Sequence, residues 1–245
     1  MKPYRKRGFY EKFIKRGIDF LCALLALILF CWLYAVIAIL VRVKLGKPVL
    51  FKQPRPGRID KKTGKERIFY MYKFRSMTDA RDENGNLLPD EARLTPFGKK
   101  LRATSMDELP EALNILRGDM SVIGPRPQLV RDMVFMTPEQ RLRHTARPGL
   151  SGLAQVEGRN AITWDEKLDW DLKYIEKVSL LRDLRIVLKT VKKVFMKGDM
   201  TEQSEETDVT LDYGDELLEQ GRVTREEYDA KQAEAKRLLA EAKKQ

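Results

Sequence analysis

Two adjacent acidic residues, Asp107 and Glu108, lie within the segment Ser105-Met106-Asp107-Glu108-Leu109-Pro110. Neighbouring carboxylates can hold a divalent cation and provide a nucleophile, which suits chemistry at phosphorus. The segment also has the S-x-x-E form of a helix capping box, in which Glu108 only caps a helix and Asp107 favours its dipole. The residues alone leave both interpretations open.

Basic residues that suit phosphate binding are clustered in the same part of the chain. Arg126 lies between Pro125 and Pro127, which restrict its backbone and could direct the planar guanidinium at a phosphate. For any single arginine, a solvated or ion-paired surface position is the alternative. The candidates are Lys73, Arg75, Arg102, Arg126, Arg147 and Arg159.

Composition and motifs exclude several classes of protein. The chain lacks a P-loop and a G-x-G-x-x-G segment, so those nucleotide sites are not indicated. No helix-turn-helix, zinc-finger or RRM signature is present, so nucleic acid is not an expected partner. The lone histidine, His144, argues against a histidine metal site or a Ser-His-Asp triad. Two cysteines, both in an apolar run, exclude a disulfide scaffold.

Charge is distributed unevenly along the chain. The net charge is +11, but residues 199–245 carry fourteen acidic and seven basic residues, so the first 198 residues sum to +18. A strongly basic body favours phosphates, whether in lipid headgroups or in phosphorylated substrates.

Residues 20–41 form an uninterrupted apolar run of 22 residues, long enough to cross a bilayer core as a helix. Basic residues flank both ends, and the positive-inside rule places both flanks on the cytoplasmic face. A helix that enters and leaves on one side satisfies this rule, as does a helix lying at the interface. A simple span remains the alternative, because the run contains no residue that obviously breaks a helix.

These patterns predict an α+β fold that is mostly helical, with short strands at 49–52 and 68–74. Thr95-Pro96 is expected to cap a helix, and Ser105 to open another. A last helix, Leu180–Lys197, combines an apolar stripe with many basic residues. It either lies on an anionic membrane surface or packs against the core with a solvated face.

Several long, ordered motifs carry a resemblance to a known family. They are Lys52-Gln53-Pro54-Arg55-Pro56-Gly57, Tyr72-Lys73-Phe74-Arg75-Ser76-Met77, the segment around Asp107-Glu108, Gly118-Asp119-Met120-Ser121-Val122-Ile123-Gly124-Pro125-Arg126-Pro127, Arg147-Pro148-Gly149-Leu150-Ser151-Gly152, Gln155-Val156 and Gly158-Arg159-Asn160. Over about residues 10–198 the chain resembles the small monotopic phosphoglycosyl transferases, or bacterial sugar transferases. That family's helix-breaking Ser-Pro pair is replaced here by Cys31-Trp32.

The resemblance implies a reaction. Such enzymes move a sugar phosphate from a UDP-sugar to polyprenol phosphate, expected to be undecaprenyl phosphate, and release UMP. It further implies Asp107 as the nucleophile with Glu108 as its catalytic partner, a covalent phosphosugar intermediate, and Mg²⁺ held by Asp107 and Glu108. The expected substrate-binding residues are Lys73, Arg75, Arg102, Pro125, Arg126, Pro127, Arg147, Gln155 and Arg159.

The resemblance also implies an organisation and a location. We expect a basic N-terminus and membrane-embedded, re-entrant helix at 1–48, a cytosolic catalytic domain with amphipathic interfacial helices at 49–198, and an acidic helical extension at 199–245. The protein is then expected at the cytoplasmic face of the bacterial inner membrane, in the first membrane step of glycoconjugate synthesis. Membrane lipid, another copy of the chain and a downstream glycosyltransferase are the further partners considered.

Two questions stay open at this point. Residues 217–228 are similar to the short C-terminal helical hairpin known as SHOCT, although an ordinary solvated helix explains them as well. A non-catalytic membrane adaptor, whose basic surface binds anionic lipid and whose acidic tail binds a protein, also fits the composition. The sequence does not identify the sugar.

Overall fold

The computed structural model of this chain describes residues 5–158, 162–197 and 211–244. The fold is α+β and mostly helical, as the sequence predicts, and the described residues form two small sheets. The α-helices are α1 (Lys15–Leu29), α2 (Cys31–Lys44), α3 (Asp90–Arg93), α4 (Pro96–Ala103), α5 (Glu111–Arg117), α6 (Val130–Met133), α7 (Leu153–Glu157), α8 (Trp164–Glu176), α9 (Leu180–Lys197), α10 (Tyr213–Glu219) and α11 (Arg225–Ala242). A π-helical turn covers Tyr10–Ile14, and 3₁₀ turns cover Met106–Glu108 and Gln140–Thr145.

Both sheets have two strands. Strand β1 (Leu50–Ile59) pairs with β2 (Glu66–Phe74), and β3 (Ser121–Ile123) lies parallel to β4 (Gly149–Ser151) with Ser121 opposite Gly149. The prediction that the first strand stops at residue 52 is wrong, because β1 continues through Pro54 and Pro56. Proline is tolerated on edge strands, and each strand of a two-stranded sheet is an edge.

The chain divides into two compact units. The larger unit comprises the described parts of Met1–Asp19, Pro54–Phe69 and Gly118–Gln245, and the smaller unit comprises Phe20–Gln53 and Tyr70–Arg117. Each unit has its own apolar packing, so each is described separately below.

The smaller unit packs α2 and α4 around the end of β2. Its core contains Ile37, Val41, Leu45, Phe74 and Leu101. The predicted helix start at Thr95-Pro96 is confirmed: the Thr95 hydroxyl accepts a hydrogen bond from the Gly98 amide at 3.1 Å. A Cβ on Gly98 would lie only 1.8 Å from the Ser76 carbonyl oxygen, so glycine allows α4 to approach the chain just after β2.

The larger unit contains two apolar clusters. One joins β3 to α7, α8 and α9 through Ile123, Val156, Tyr174 and Ile186. The other joins α6 and α8 to the C-terminal helices and contains Val130, Met133, Trp164, Leu168, Tyr213, Leu217 and Ala235. The helices after residue 210 therefore bury side chains in the same core as residues 130–168.

The apolar run is bent. No described helix is by itself long and apolar enough to cross a bilayer, but the pair Tyr10–Leu29 and Cys31–Lys44 meets that criterion jointly, with a bend of 66° between them. The bend falls at Phe30 (φ −104°, ψ 14°), directly before Cys31. No proline or glycine lies there, which is why the sequence offered no breaker.

Candidate active site

The predicted acid pair lies in a short loop of the smaller unit, which we call the acid loop (residues 105–111). Ser105 adopts a left-handed conformation (φ 55°, ψ 18°), which is rare for a residue with a side chain. A 3₁₀ turn over Met106–Glu108 follows, and α5 begins at Glu111. The prediction of a helix opening at Ser105 is therefore wrong in its boundary.

The capping-box interpretation of this segment is also wrong. The Ser105 side chain makes no capping hydrogen bond, and the Glu108 backbone N–H donates to the Ser105 carbonyl at 3.2 Å. Asp107 is buried, with 7% of its surface exposed, and Glu108 is half-buried. The two carboxylates are thus placed by a strained turn and not by a helix cap.

Lys73 connects β2 to the acid loop. Its ammonium lies 2.7 Å from Glu108 Oε1 and 3.5 Å from Glu111 Oε1. Glu111, only 1% exposed, was not among the predicted site residues. The sequence feature that could have pointed to Glu111 is its position four residues after Asp107. The structure therefore brings Lys73, Glu108 and Glu111 into one charged cluster in the turn that carries Asp107.

A buried amide fixes the spacing between Lys73 and α5. Asn114 Oδ1 accepts from the Tyr72 amide at 2.9 Å, and its Nδ2 donates to the Tyr70 carbonyl at 2.7 Å. Asn114 is fully buried, so water does not compete for these two bonds. This side chain, which sequence reasoning missed, attaches α5 to β2 just before Lys73.

The two other predicted basic residues of the smaller unit have different environments. Arg75 is buried and donates to the Met77 and Lys47 carbonyl oxygens at 2.8 and 2.7 Å, and it pairs with Asp79 at 2.7 Å. Arg102 is exposed and donates to the Ser76 hydroxyl at 2.9 Å. The contacts of Arg75 are those of a residue that shapes the chain after β2, whereas Arg102 offers its guanidinium at the surface.

The predicted Pro-Arg-Pro segment lies in the larger unit, in what we call the arginine loop (residues 124–127). It directly follows β3 and runs beside the Arg147-Pro148-Gly149 segment. A Cβ on Gly124 would lie 2.3 Å from the Arg147 carbonyl oxygen, and one on Gly149 would lie 2.1 Å from the Gly124 nitrogen. Glycine at both positions is what lets the two motifs approach this closely.

The arginine loop is held mainly through its backbone. Arg126 Nη1 lies 3.4 Å from the Leu150 carbonyl oxygen. The carbonyl oxygens of Arg126 and Pro127 accept hydrogen bonds from Arg143 at 2.5 Å and from Arg55 at 3.0 Å. Neither Arg143 nor Arg55 was a predicted site residue, because a contact to a main-chain carbonyl leaves no sequence pattern.

The remaining predicted residues are also assigned to the larger unit. Arg147 donates through Nε to the Gly118 carbonyl at 3.0 Å, and burial together with the nearby Arg58, Arg16 and Arg7 lowers the pKa of its guanidinium. Gln155 is half-buried on α7. Arg159 lies outside the described residues.

The acid loop has the donor chemistry that Mg²⁺ prefers. Within the described ranges, no group of three or more His, Cys, Asp or Glu side chains is arranged to hold a metal alone. Magnesium, however, binds hard carboxylate oxygens and commonly uses one or two of them together with substrate phosphates and water. The two carboxylates of Asp107 and Glu108 are donors of this type.

Comparison with known proteins identifies the family to which the chain is similar. The family model described as bacterial sugar transferase matches residues 10–197. An uncharacterized sugar transferase, EpsL of Bacillus subtilis, is 47% identical over 180 residues, which cover 74% of this chain and 83% of the relative.

Two further relatives have names that state an activity. A UDP-N-acetylgalactosamine-undecaprenyl-phosphate N-acetylgalactosaminephosphotransferase of Aeromonas hydrophila is 39% identical over 74% of this chain and 44% of its own length. A UDP-glucose:undecaprenyl-phosphate glucose-1-phosphate transferase of Caulobacter vibrioides is 38% identical over 72% of this chain and 68% of its own length. The chain thus spans less than half of the Aeromonas enzyme. The match over residues 10–197, which includes both the acid loop and the arginine loop, shows that this chain belongs to the bacterial sugar transferase family.

Proposed function

We propose that this protein transfers a sugar 1-phosphate from a UDP-sugar to polyprenol phosphate, most simply undecaprenyl phosphate, and releases UMP. The observation that carries the proposal is the acid loop, in which Asp107 shares a strained turn with Glu108 and Glu108 is paired with Lys73 at 2.7 Å. The family, and relatives named for this transfer, support it.

The proposed reaction has two steps at one carboxylate. An oxygen of Asp107 attacks the phosphorus that bears the sugar, the bond from that phosphorus to the bridging oxygen breaks, and UMP leaves with that oxygen and its electron pair. A phosphate oxygen of polyprenol phosphate then attacks the same phosphorus, and the Asp107 carboxylate departs unchanged. The product is a polyprenyl diphosphate sugar, and the sequence of events is ping-pong.

Charge decides whether such an attack is possible. A carboxylate approaching a diphosphate meets repulsion, so positive charge must surround the phosphorus. Bound at Asp107 and Glu108, Mg²⁺ would neutralise phosphate oxygens and polarise the reacting phosphoryl group. The chain itself contributes the ammonium of Lys73, which restrains Glu108, and the exposed guanidinium of Arg102. Arg126 and Arg147, which belong to the larger unit, are proposed to bind phosphate oxygens of a substrate.

The proposed acceptor has a long apolar tail, and the chain has surfaces suited to a bilayer. In α1 and α2 the exposed apolar side chains include Leu21, Leu25, Ile28, Leu29, Trp32, Ile39 and Val43. On α9 the exposed apolar stripe is Leu180, Leu181, Leu184, Leu188 and Val191. We propose that α1 and α2 enter and leave the cytoplasmic face of the bacterial inner membrane, and that α9 lies at its interface.

The catalytic proposal is tested with Asp107→Asn, which keeps the shape of the side chain and removes its charge. We expect UMP release from a UDP-sugar panel to fall by at least about 10³-fold, because the nucleophile is lost. Without acceptor, the unsubstituted protein should gain the mass of one phosphosugar on the peptide containing Asp107. Asp90→Asn, a change at an exposed helix start, is the matched control and should keep full activity.

Two results would contradict this proposal. Full activity of Asp107→Asn would remove the covalent step. Charge-dependent binding to anionic vesicles, without turnover of any UDP-sugar, would favour the membrane adaptor.

The re-entrant topology is tested by labelling single cysteines. In a variant lacking Cys22 and Cys31, a cysteine replaces either Lys6 or Lys47, and an impermeant thiol reagent is added to intact or opened spheroplasts. Because both basic flanks are expected on the cytoplasmic side, both positions should react only after opening. Reaction of one position in intact cells would establish an ordinary span.

A further inference from the structure

The arginine loop is fixed by bonds to its main chain as well as by its prolines. Pro125 and Pro127 set their own φ angles, and each proline restricts the residue before it to extended conformations. Within these limits the Arg126 carbonyl can still tilt, and the peptide plane after Pro127 can still rotate. Arg143 and Arg55 each donate to one of those two carbonyl oxygens, at 2.5 and 3.0 Å.

Arg143 has a fixed orientation of its own. It is 1% exposed, and its Nε and Nη2 both donate to Asp171 Oδ2, at 2.9 and 2.6 Å. Asp171 is equally buried, on α8. A guanidinium that binds one carboxylate oxygen through two nitrogens cannot rotate in its plane without losing a bond.

The third nitrogen of Arg143 is also engaged. Its Nη1 lies 3.2 Å from His144 Nε2, and His144 Nδ1 lies 3.1 Å from Glu66 Oε1. Burial lowers the pKa of His144 to about 4, so the ring is neutral at pH 7. The neutral ring then donates from Nδ1 to Glu66 and accepts from Arg143 at Nε2. Every nitrogen of the Arg143 guanidinium therefore has a partner.

We propose that Arg143 is a positioning residue that orients the arginine loop, and through it the phosphate-binding guanidinium of Arg126. This inference rests on the proposed function, because the proposed function assigns phosphate binding to Arg126. Lysine does not replace Arg143 here. A single ammonium lacks the planar fork that binds Asp171, His144 and the Arg126 carbonyl together.

A purely structural role for Arg143 is the competing explanation, and coupling to Arg126 separates the two. If Arg143 acts through Arg126, substituting both residues should cost little more than substituting Arg126 alone. If Arg143 only stabilises the fold, the two losses should multiply.

The experiment measures kcat and KM for the UDP-sugar in Arg143→Lys, Arg126→Lys and the double variant. We expect Arg143→Lys alone to lower kcat/KM by about 10- to 100-fold. When Arg143→Lys is added to a protein that already carries Arg126→Lys, we expect a further fall of less than about threefold. Arg141→Lys is the matched control, since Arg141 is two residues away and binds Glu66 but not the loop. It should retain activity within about twofold. Multiplicative losses, or unchanged kcat/KM in Arg143→Lys, would overturn the proposal.

A second measurement does not depend on catalysis. Hydrogen–deuterium exchange at the Arg126 and Gln128 amides should be faster in Arg143→Lys than in Arg141→Lys. If Arg143→Lys does not fold, Arg55→Lys, which weakens the bond to Pro127, replaces it in both experiments. Absence of UMP release by the unsubstituted protein would defeat the proposed function only. Unchanged exchange in the folded variant would defeat the positioning role whatever the activity.

Discussion

The acid loop and the arginine loop are held in place by different kinds of contact. The acid loop depends on its own backbone and on a half-buried ion pair: Ser105 is left-handed, and Glu108 pairs with Lys73. The arginine loop depends on two buried groups, Arg143 and Asp171, which are each 1% exposed. A reacting carboxylate needs charges that a substrate can rearrange, whereas a phosphate-binding arginine needs a direction that does not change. Substitutions should therefore separate activity from stability in the first loop and couple them in the second.

The largest expected difference concerns stability. Asp171→Asn leaves the fully buried guanidinium of Arg143 without its carboxylate, and breaking a buried pair costs about 3–5 kcal/mol of unfolding free energy. Glu108→Gln should cost about 1 kcal/mol or less, because that pair is partly solvated and Lys73 keeps Glu111. Urea denaturation in detergent measures the unfolding free energy of each variant, and UMP release measures its activity. Equal loss of stability in the two variants would remove the distinction.

A smaller effect is expected from pH. Because burial depresses the pKa of His144 from about 6.5 when unfolded to about 4 when folded, only the unfolded chain takes up this proton between those values. Stability is therefore lost as pH falls through this window, by about 2 kcal/mol between pH 7 and pH 5. Hydrogen bonds from His144 and Arg141, acting against burial, hold the pKa of Glu66 below its usual range, so Glu66 adds to the loss only at lower pH.

His144→Asn sharpens this prediction. Asparagine can still donate to Glu66 but does not titrate, so the decline in unfolding free energy from pH 7 to pH 5 should become shallower by about 2 kcal/mol. Unfolding free energies at pH 7, 6 and 5 for both proteins measure the difference. The same slope in both would mean that other groups control the acid sensitivity of this region.

Predictions from the sequence were right where the interactions act between residues that are close together in the chain. Thr95-Pro96 marked a true helix start, and Leu180–Lys197 was predicted with its observed bounds, because capping and amphipathic periodicity act within a few residues. Ser105 shows the limit. Its S-x-x-E spacing indicates a cap, but the observed left-handed conformation leaves Glu108 to pair with a lysine on β2.

The candidate site residues show the same dependence on distance along the chain. Asp107, Glu108, Lys73 and Arg126 were predicted as site residues from their motifs, and their roles stay predictions. Glu111, Asn114, Arg143 and Asp171 were missed because each acts on a partner far away in the chain. Asn114 bonds the main chain 42 and 44 residues earlier, and Arg143 pairs with Asp171 28 residues later.

By itself, the sequence determined the family motifs, the charge asymmetry, the apolar run and the helix signals, because each is carried by residue types at short spacing. Only the tertiary structure decided the bend at Phe30, the burial of Tyr213 and Leu217 beside Val130, and the guanidinium that fixes the arginine loop. These features arise from packing and hydrogen bonds between distant segments. Their energies depend on which surfaces meet, and no local pattern records that.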